Sequence, residues 1–394
     1  MRQADRIAIA AAGVVTPIGQ DLDAFWSGLL TGVDGISTIE AFPVADLRVG
    51  RGGEIKKLTR VKDWAGVPPC RATRLLVSAA EDLAAQAGLR PLPFAAERVA
   101  VVVGTALGGV AEGERALGGD RRRRRLADAL YDGPAHNLAR WLGARGPAMT
   151  VSTACASGAT AIGVAADLLR RGLADAVIAG GYDPLCRFVM RGFDALRSLT
   201  RERVRPFDRR RSGLLLGEAG ALVLLRRDAD AGPRRLGTLL GHATVGDGAH
   251  ISAPDPDGCG LERAIRLALG QAGLPPEAID FVSAHGTGTA LNDRIETAVL
   301  KRVLGARAHA VPVNSIKSTL GHTMGAAATL EAVMCLLAGR HGQIPPTRYL
   351  EEPDPDCDLD YVPGAPRAAR PAVSLSTSLG FGGQNAALVL ESAP

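Results

Sequence analysis

Two stretches of this chain repeat one order of signals, and a chain that does so must fold as two similar α/β halves. In the first stretch a helical pattern, Leu75 to Ala87, closes on Gln86-Ala87-Gly88-Leu89, passes Pro91 and Pro93, and enters the apolar run Val99 to Val103, which ends at Gly104-Thr105. In the second, Leu261 to Ala272 closes on Gln271-Ala272-Gly273-Leu274, passes Pro275-Pro276, and enters Ile279 to Val282, followed by His285-Gly286-Thr287-Gly288-Thr289. Glycine after the last helical residue supplies a left-handed cap, proline beyond it stops the helix, and a short apolar run reads as a buried strand. The likeness continues downstream. Cys155 precedes a small-residue helix that contains Leu168-Leu169 and ends before Gly172, and His322 precedes one that contains Leu336-Leu337 and ends at Gly339. Cys155 and His322 are therefore expected at nearly equivalent places, brought together at a pseudo-twofold axis. Apolar runs such as Ala176 to Ala179 and Ala221 to Leu225 predict mainly parallel, mixed sheets layered with helices. The polar stretch Asp228 to Arg235, broken by Gly232-Pro233, divides residues 1–236, with Cys155, from residues 237–394, with both histidines.

Composition narrows the class. With 394 residues and 46% hydrophobic content the chain buries a large core, and 48 glycines predict frequent tight turns and close backbone approaches. The run Ile7 to Val15, ending at Thr16-Pro17, is too short to cross a bilayer and lacks a cleavage pattern, so it reads as a buried strand with no membrane insertion. Six scattered cysteines without paired or metal-type spacing predict a reducing cytoplasm and no metal. The net charge of +5 is local, concentrated in Arg121 to Arg125 and in Arg209-Arg210-Arg211. These runs are either solvated loops or a docking patch for an acidic protein. Nucleic acid is not expected, because no aromatic residues interleave with them.

Four segments carry the chemistry. Cys155 lies in Val151-Ser152-Thr153-Ala154-Cys155-Ala156-Ser157-Gly158, where a strand stops and a helix opens. It is either a packed core cysteine or a thiol whose thiolate the helix N-terminus favours. His285 begins His-Gly-Thr-Gly-Thr-Ala-Leu-Asn-Asp at a strand end, with Thr287 and Thr289 beside it and Asp293 and Glu296 following. It is too short for a phosphate loop and has no lysine after it, so it is a structural histidine or a site. Lys317 stands in the otherwise uncharged Asn314-Ser315-Ile316-Lys317-Ser318-Thr319-Leu320-Gly321-His322, ahead of a helix with Glu331, and is either a surface lysine or a site residue whose charge would help keep the His322 imidazole neutral. Near the C-terminus, Leu379-Gly380-Phe381-Gly382-Gly383 is either a glycine-rich hairpin or a mobile gate that aims an amide into a cavity.

Taken together, STACASG around Cys155, HGTGTALND at His285, KSTLGH from Lys317 to His322 and GFGG around Phe381 resemble the β-ketoacyl-ACP synthases of the elongating, KAS II-like type, across nearly the whole chain. The resemblance implies a duplicated, five-layered αβαβα thiolase-like fold. It implies an acyltransferase in which Cys155 holds an acyl group, malonyl-ACP is decarboxylated, and the enolate attacks the thioester. His285 and His322 would donate to the enolate oxygen, Lys317 and Glu331 would tune His322, and the amides of Cys155 and Phe381 would form an oxyanion hole. Phe381 would gate the sulfur, and Thr287, Thr289, Phe193 and Gly382 would contact substrate. Acyl carrier protein is the implied partner, bringing phosphopantetheine as part of the substrate, with no bound cofactor. A homodimer is implied, or a heterodimer with a ketosynthase-like subunit. The alternative is a non-catalytic chain-length-factor subunit, a class that lacks the cysteine. A thiolase would need a second cysteine in a glycine loop, unlike Cys357, and the initiating KAS III type carries asparagine where His322 stands. Gln384, Ala328, Ser212 and the arginine-rich stretch Gly118 to Met149 depart from the housekeeping pattern and point to a specialised type II pathway, such as an aryl polyene or other polyketide, over fatty-acid elongation.

Overall fold

Ten strands hydrogen-bond into one mixed sheet whose order repeats outward from its centre. The computed structural model describes residues 6–61, 64–119, 123–230 and 235–393. The strands are β1 (Ile7–Val15), β2 (Val99–Gly104), β3 (Ala148–Val151), β4 (Ala176–Asp183) and β5 (Ala219–Arg227), then β6 (Gly237–Gly246), β7 (Phe281–Ser283), β8 (Val313–Asn314), β9 (Val373–Gly380) and β10 (Gln384–Ser392). From the middle, one half reads β1-β5-β4-β2-β3 and the other β6-β10-β9-β7-β8, which is the same order twice. The halves join where Ile7 to Ile9 pair antiparallel with Leu239 to Gly237. The expected parallel pairing is confined to the outer three strands of each half. The inner ladders are antiparallel, and at β9–β10 a three-residue hairpin leaves no room for a crossover helix.

Five layers follow from where the apolar faces meet. Helices α1 (Arg71–Ala87) and α2 (Gly133–Leu142) cover the outer face of the first half, with Leu75, Leu76 and Leu138 against Val99, Val101 and Val103. The central layer is α3 (Ser157–Arg170) and, later in the chain, the helix of residues 327–341. The outer face of the second half is covered by α4 (Cys259–Ala272) and α5 (Ala290–Leu304). The helix Ala327–His341 is α6, and every residue from Ala327 to Gly339 is buried, because sheet or helix covers it on all sides. Gly88 and Gly273 cap α1 and α4 in the left-handed conformation, at φ of +61 and +69, as their sequences predict. The run Ile7–Val15 is the buried β1, and among the described residues no helix is long and apolar enough to cross a membrane.

In the centre α3 and α6 approach to backbone contact. A Cβ on Gly158 would stand 2.6 Å from Thr329 Oγ1 and 2.7 Å from the Gly325 carbonyl oxygen. On the outer side, a Cβ on Gly13 of β1 would stand 2.2 Å from the Ala79 carbonyl oxygen and 2.3 Å from the Leu83 nitrogen of α1. Neither backbone atom can move without separating helix from sheet. Gly13→Ala is therefore expected to destabilise the protein by about 1–3 kcal/mol, read as a lower urea midpoint with an unchanged m-value.

Candidate active site

Cys155 stands two residues ahead of α3, on a turn in which Ala154 takes φ of +51. Ser157 braces this turn, accepting the Thr153 N–H at 2.9 Å and donating to the Ala154 carbonyl at 2.5 Å. In the other half Met324 takes φ of +50, also three residues ahead of its helix. The strict counterpart of Cys155 is thus Gly325, and His322 lies three residues earlier, so the two functional residues are offset about the axis. Cys155 is 6% exposed. Burial pushes its thiol up to about 11, against the opposing Lys317 charge and the amides of Phe381 and Cys155 itself. The expected preference for thiolate at the helix N-terminus is corrected here: desolvation exceeds the dipole, and the resting species near neutral pH is the thiol.

His285 follows β7 and is fixed through its backbone. The Glu296 carboxylate accepts the amides of His285 and Gly286 at 2.7 and 2.9 Å and the Thr377 hydroxyl at 2.7 Å. One turn earlier in α5, Asp293 accepts the amides of Phe207 and Gly288 at 2.8 and 3.2 Å. Both carboxylates are buried and their pKa values raised by that burial, and their hydrogen-bond donors act in the opposite sense. Their part in holding the loop went unread in the sequence, although acids three apart in the helix after HGTGT are the visible signal.

His322 is held by short bridges to Leu215 and Gly217, its own N–H donating to the Leu215 carbonyl at 2.7 Å. Its ring meets that of His285 edge-on, with centroids 5.3 Å apart. The Met324 N–H donates to His322 Nδ1 at 3.3 Å, which places the ring's own proton on Nε2. Among the described residues Nε2 of His322 and Nδ1 of His285 have no hydrogen-bond partner. Burial first, and then the Lys317 charge, hold both imidazoles well below their ordinary pKa. Both are neutral donors at physiological pH. Lys317 donates to Glu331 in a pair only 2% exposed on each side. Burial pushes the Glu331 carboxyl up to about 7, and Lys317 opposes it. Lys317 thus reaches the imidazoles through its charge and reaches Glu331 by direct contact.

These groups face a cavity of about 450 Å³ whose wall includes Cys155, His285, His322, Thr287, Thr289, Phe193 and Phe381. Phe381 stacks on Phe193 with centroids 5.2 Å apart. The GFGG segment is the hairpin its sequence allows, closed by the Gly380–Gln384 pair, and Gly380 and Phe381 stand in the cavity wall. A Cβ on Gly380 would stand 3.2 Å from the Cys155 nitrogen, so the hairpin lies directly on the cysteine turn. Gly382, expected to contact substrate, lies in the turn at φ of +79 and donates to the Ile251 carbonyl at 2.9 Å, outside the cavity wall. Its contribution is the tight reversal. Of the departures, Ser212 lines the cavity and shares a hydrogen bond with Thr200 at 2.7 Å.

The arginine runs fare differently. Arg121 and Arg122, and the side chains of Arg123 to Arg125, lie outside the described residues. Arg209 pairs with Glu352 at 2.6 Å, Arg210 with Glu351 at 2.5 Å, and Arg211 with Asp354 while also donating to the Thr289 carbonyl at 3.2 Å. The reading of Arg209 to Arg211 as a free docking patch is therefore corrected. Acidic neighbours neutralise them, and Arg211, 5% exposed, braces the threonine wall.

Residues 4–231 match the family "Beta-ketoacyl synthase, N-terminal domain" and residues 236–351 the family "Beta-ketoacyl synthase, C-terminal domain". The chain is 36% identical to 3-oxoacyl-[acyl-carrier-protein] synthase 2 of Synechocystis sp., over 98% of each chain. It is 38% identical to the tetracenomycin polyketide synthase ketoacyl synthase alpha subunit of Streptomyces glaucescens, over 98% of this chain and 96% of that one. Among solved structures it is similar to the ishigamide ketosynthase/chain length factor, with a TM-score of 0.92 and 34% identity over 99% of each chain.

With a thiol titrating at about 11, the alkylation rate of Cys155 by iodoacetamide is expected to rise about tenfold per pH unit from about pH 7 to 10. Lys317→Met removes the cation that lowers this pKa, and slower alkylation at every pH in that range is expected. An unchanged rate in the variant would show that the lysine charge does not reach the sulfur.

Proposed function

Because the chain belongs to the β-ketoacyl synthase family, an acyltransferase family of condensing enzymes, we propose that the cavity carries out both of its half-reactions. The observation that carries this reading is the convergence of one thiol and two neutral imidazoles on a single buried cavity. The Cys155 sulfur attacks the thioester carbonyl of an acyl-ACP. The C–S bond to the phosphopantetheine arm breaks, and the thiol proton leaves with that arm. Malonyl-ACP then loses carbon dioxide, and the electron pair of the broken C–C bond forms an enolate. His285 and His322, as N–H donors, hold the enolate oxygen, where charge develops. The enolate carbon attacks the Cys155 thioester, the C–S bond breaks, and the departing sulfur takes up a proton.

The geometry supports the remaining roles. The amides of Cys155 and Phe381, both near the sulfur, receive the oxyanion of each acyl transfer. Lys317, held in place by its buried pair with Glu331, adds its charge to burial in keeping the imidazoles neutral, because an imidazolium would protonate the enolate before it reacted. Phe381 with Phe193 covers the sulfur, and Thr287 and Thr289 line the approach of the pantetheine arm, which arrives as part of the substrate. We divide the chain at residue 236 into a half bearing the nucleophile and a half bearing the donors. Exposed Arg197, on the cavity wall, takes the docking role ahead of Arg209 to Arg211, whose charges are shared with Glu351, Glu352 and Asp354. Ser212, Gln384 and Ala328, with the stretch Gly118 to Met149, support a specialised type II pathway. The relatives include the tetracenomycin polyketide synthase ketoacyl synthase alpha subunit at 38% identity and a 3-oxoacyl-[acyl-carrier-protein] synthase 2 at 36%, so the preference rests on these departures. The enzyme works in the cytoplasm, where its free cysteines stay reduced, as a homodimer or beside a ketosynthase-like subunit of the kind named in the ishigamide complex. A non-catalytic role is disfavoured by Cys155 itself.

Intact mass after incubation with acyl-ACPs tests the reading: an adduct is expected on the wild type, absent from Cys155→Ala and discharged by malonyl-ACP. His285→Ala and His322→Ala are each expected to slow malonyl decarboxylation by about 100-fold while the cysteine still loads. Arg197→Glu is expected to raise KM for acyl-ACP and leave acyl-pantetheine mimics unaffected. Equal losses with both substrates would remove Arg197 from docking.

A further inference from the structure

His322 owes its orientation to a turn that is itself held from the other half of the molecule. The Met324 N–H that fixes His322 Nδ1 belongs to a residue at φ of +50, a conformation that a long side chain adopts only under constraint. The next amide, Gly325 N–H, donates to Asp183 Oδ2 at 2.7 Å. Asp183 ends β4 and is fully buried. The same Oδ2 accepts the Ala106 amide at 2.8 Å, and Oδ1 accepts the Thr105 hydroxyl at 2.5 Å and the Leu107 amide at 3.0 Å. Four donors converge on one carboxylate that makes no ion pair among the described residues. Gly325 has no room to shift: a Cβ there would stand 2.7 Å from Thr105 Cα, and a Cβ on Gly181 would stand 2.0 Å from its carbonyl oxygen.

We propose that Asp183 is a positioning residue for His322: by accepting the Gly325 N–H it holds the Met324 turn, and through the Met324 N–H it keeps His322 in the Nε2–H form facing the cavity. Asp183 touches neither substrate nor sulfur. Its chemistry fits this task, because a carboxylate presents acceptors alone, whereas the asparagine amide would turn two hydrogens toward groups that are themselves donors. The mechanistic consequence rests on the reading of His322 as an enolate donor. The structural one does not.

The test is Asp183→Asn, examined by nitrogen NMR of protein labelled at its seven histidines, with the His322 signal assigned by its loss in His322→Gln. The wild type is expected to show a single tautomer with the proton on Nε2, and the variant a mixture of tautomers. Malonyl-ACP decarboxylation is expected to fall by about 10- to 100-fold, while acyl loading of Cys155 stays within about twofold. Thr105→Val, which removes a donor from the other carboxylate oxygen, is expected to leave the tautomer unchanged. An unchanged tautomer in Asp183→Asn, or equal losses in loading and decarboxylation, would overturn the proposal. If Asp183→Asn does not fold, amide exchange of the wild type decides: Met324 and Gly325 should be protected as strongly as the strand amides of β4, and fast exchange at either overturns the proposal. A wild type that neither loads nor decarboxylates would refute the condensing reaction, and the tautomer and exchange readings would still judge Asp183.

Discussion

The close crossing of α3 and α6 in the middle layer is the contact on which the rest of the molecule depends. Two helices reach backbone contact only where side chains are absent, and Gly158 lies against Thr329 and Gly325 with no space for a methyl group. That approach sets the spacing of the two half-sheets, since each helix also packs on strands of its own half. It also sets the site, because the cysteine turn lies at the start of one helix and the His322 turn just ahead of the other. A larger residue at the crossing would part the halves and carry sulfur and imidazoles away from each other together.

Around this crossing burial and the Lys317 charge set the protonation of the site. Lys317 lowers the pKa of Cys155 and of both histidines, with opposite consequences for charge: it favours the thiolate and disfavours the imidazolium. Desolvation acts in the same direction as the lysine on the histidines and against it on the cysteine, so the imidazoles are firmly neutral while the sulfur remains a thiol at rest. A buried ammonium is costly without a counterion, and Glu331 supplies it from α6. The pair therefore joins the electrostatics of the cavity to the packing, and the second half contributes both of its members.

The loops that aim the reactive groups are held by carboxylates accepting backbone amides. Glu296 holds the His285 end, Asp293 the following turn, and Asp183 the turn that fixes His322. Each replaces the water that an exposed loop would use, and each is buried where water has little access. A mechanism that needs neutral donors in fixed orientation is served well by this scaffold, because it leaves Nε2 of His322 and Nδ1 of His285 unengaged while the amides of His285, Gly286, Gly288, Met324 and Gly325 are bonded behind them.

Much of this was legible in the chain. The helix, glycine cap, proline and strand recur because each half must solve the same packing problem, and Gly88 and Gly273 announce it locally. Cys155, His285, Lys317 and His322 stand out because reactive side chains in small-residue or uncharged surroundings have few other reasons to be there. What sequence could not decide was the outcome of competitions that depend on distance and burial. Whether the helix end or the desolvated cavity governs Cys155, and whether Arg209 to Arg211 are free or neutralised by Glu351, Glu352 and Asp354, are settled by atoms far apart in the chain. Asp183 and Gly325 are 142 residues apart. The sequence by itself determined the duplicated layers and the reactive side chains, because local patterns of apolarity and glycine suffice for those; only the tertiary structure decided protonation, orientation and pairing, because these arise from close contacts between segments that the chain order keeps apart.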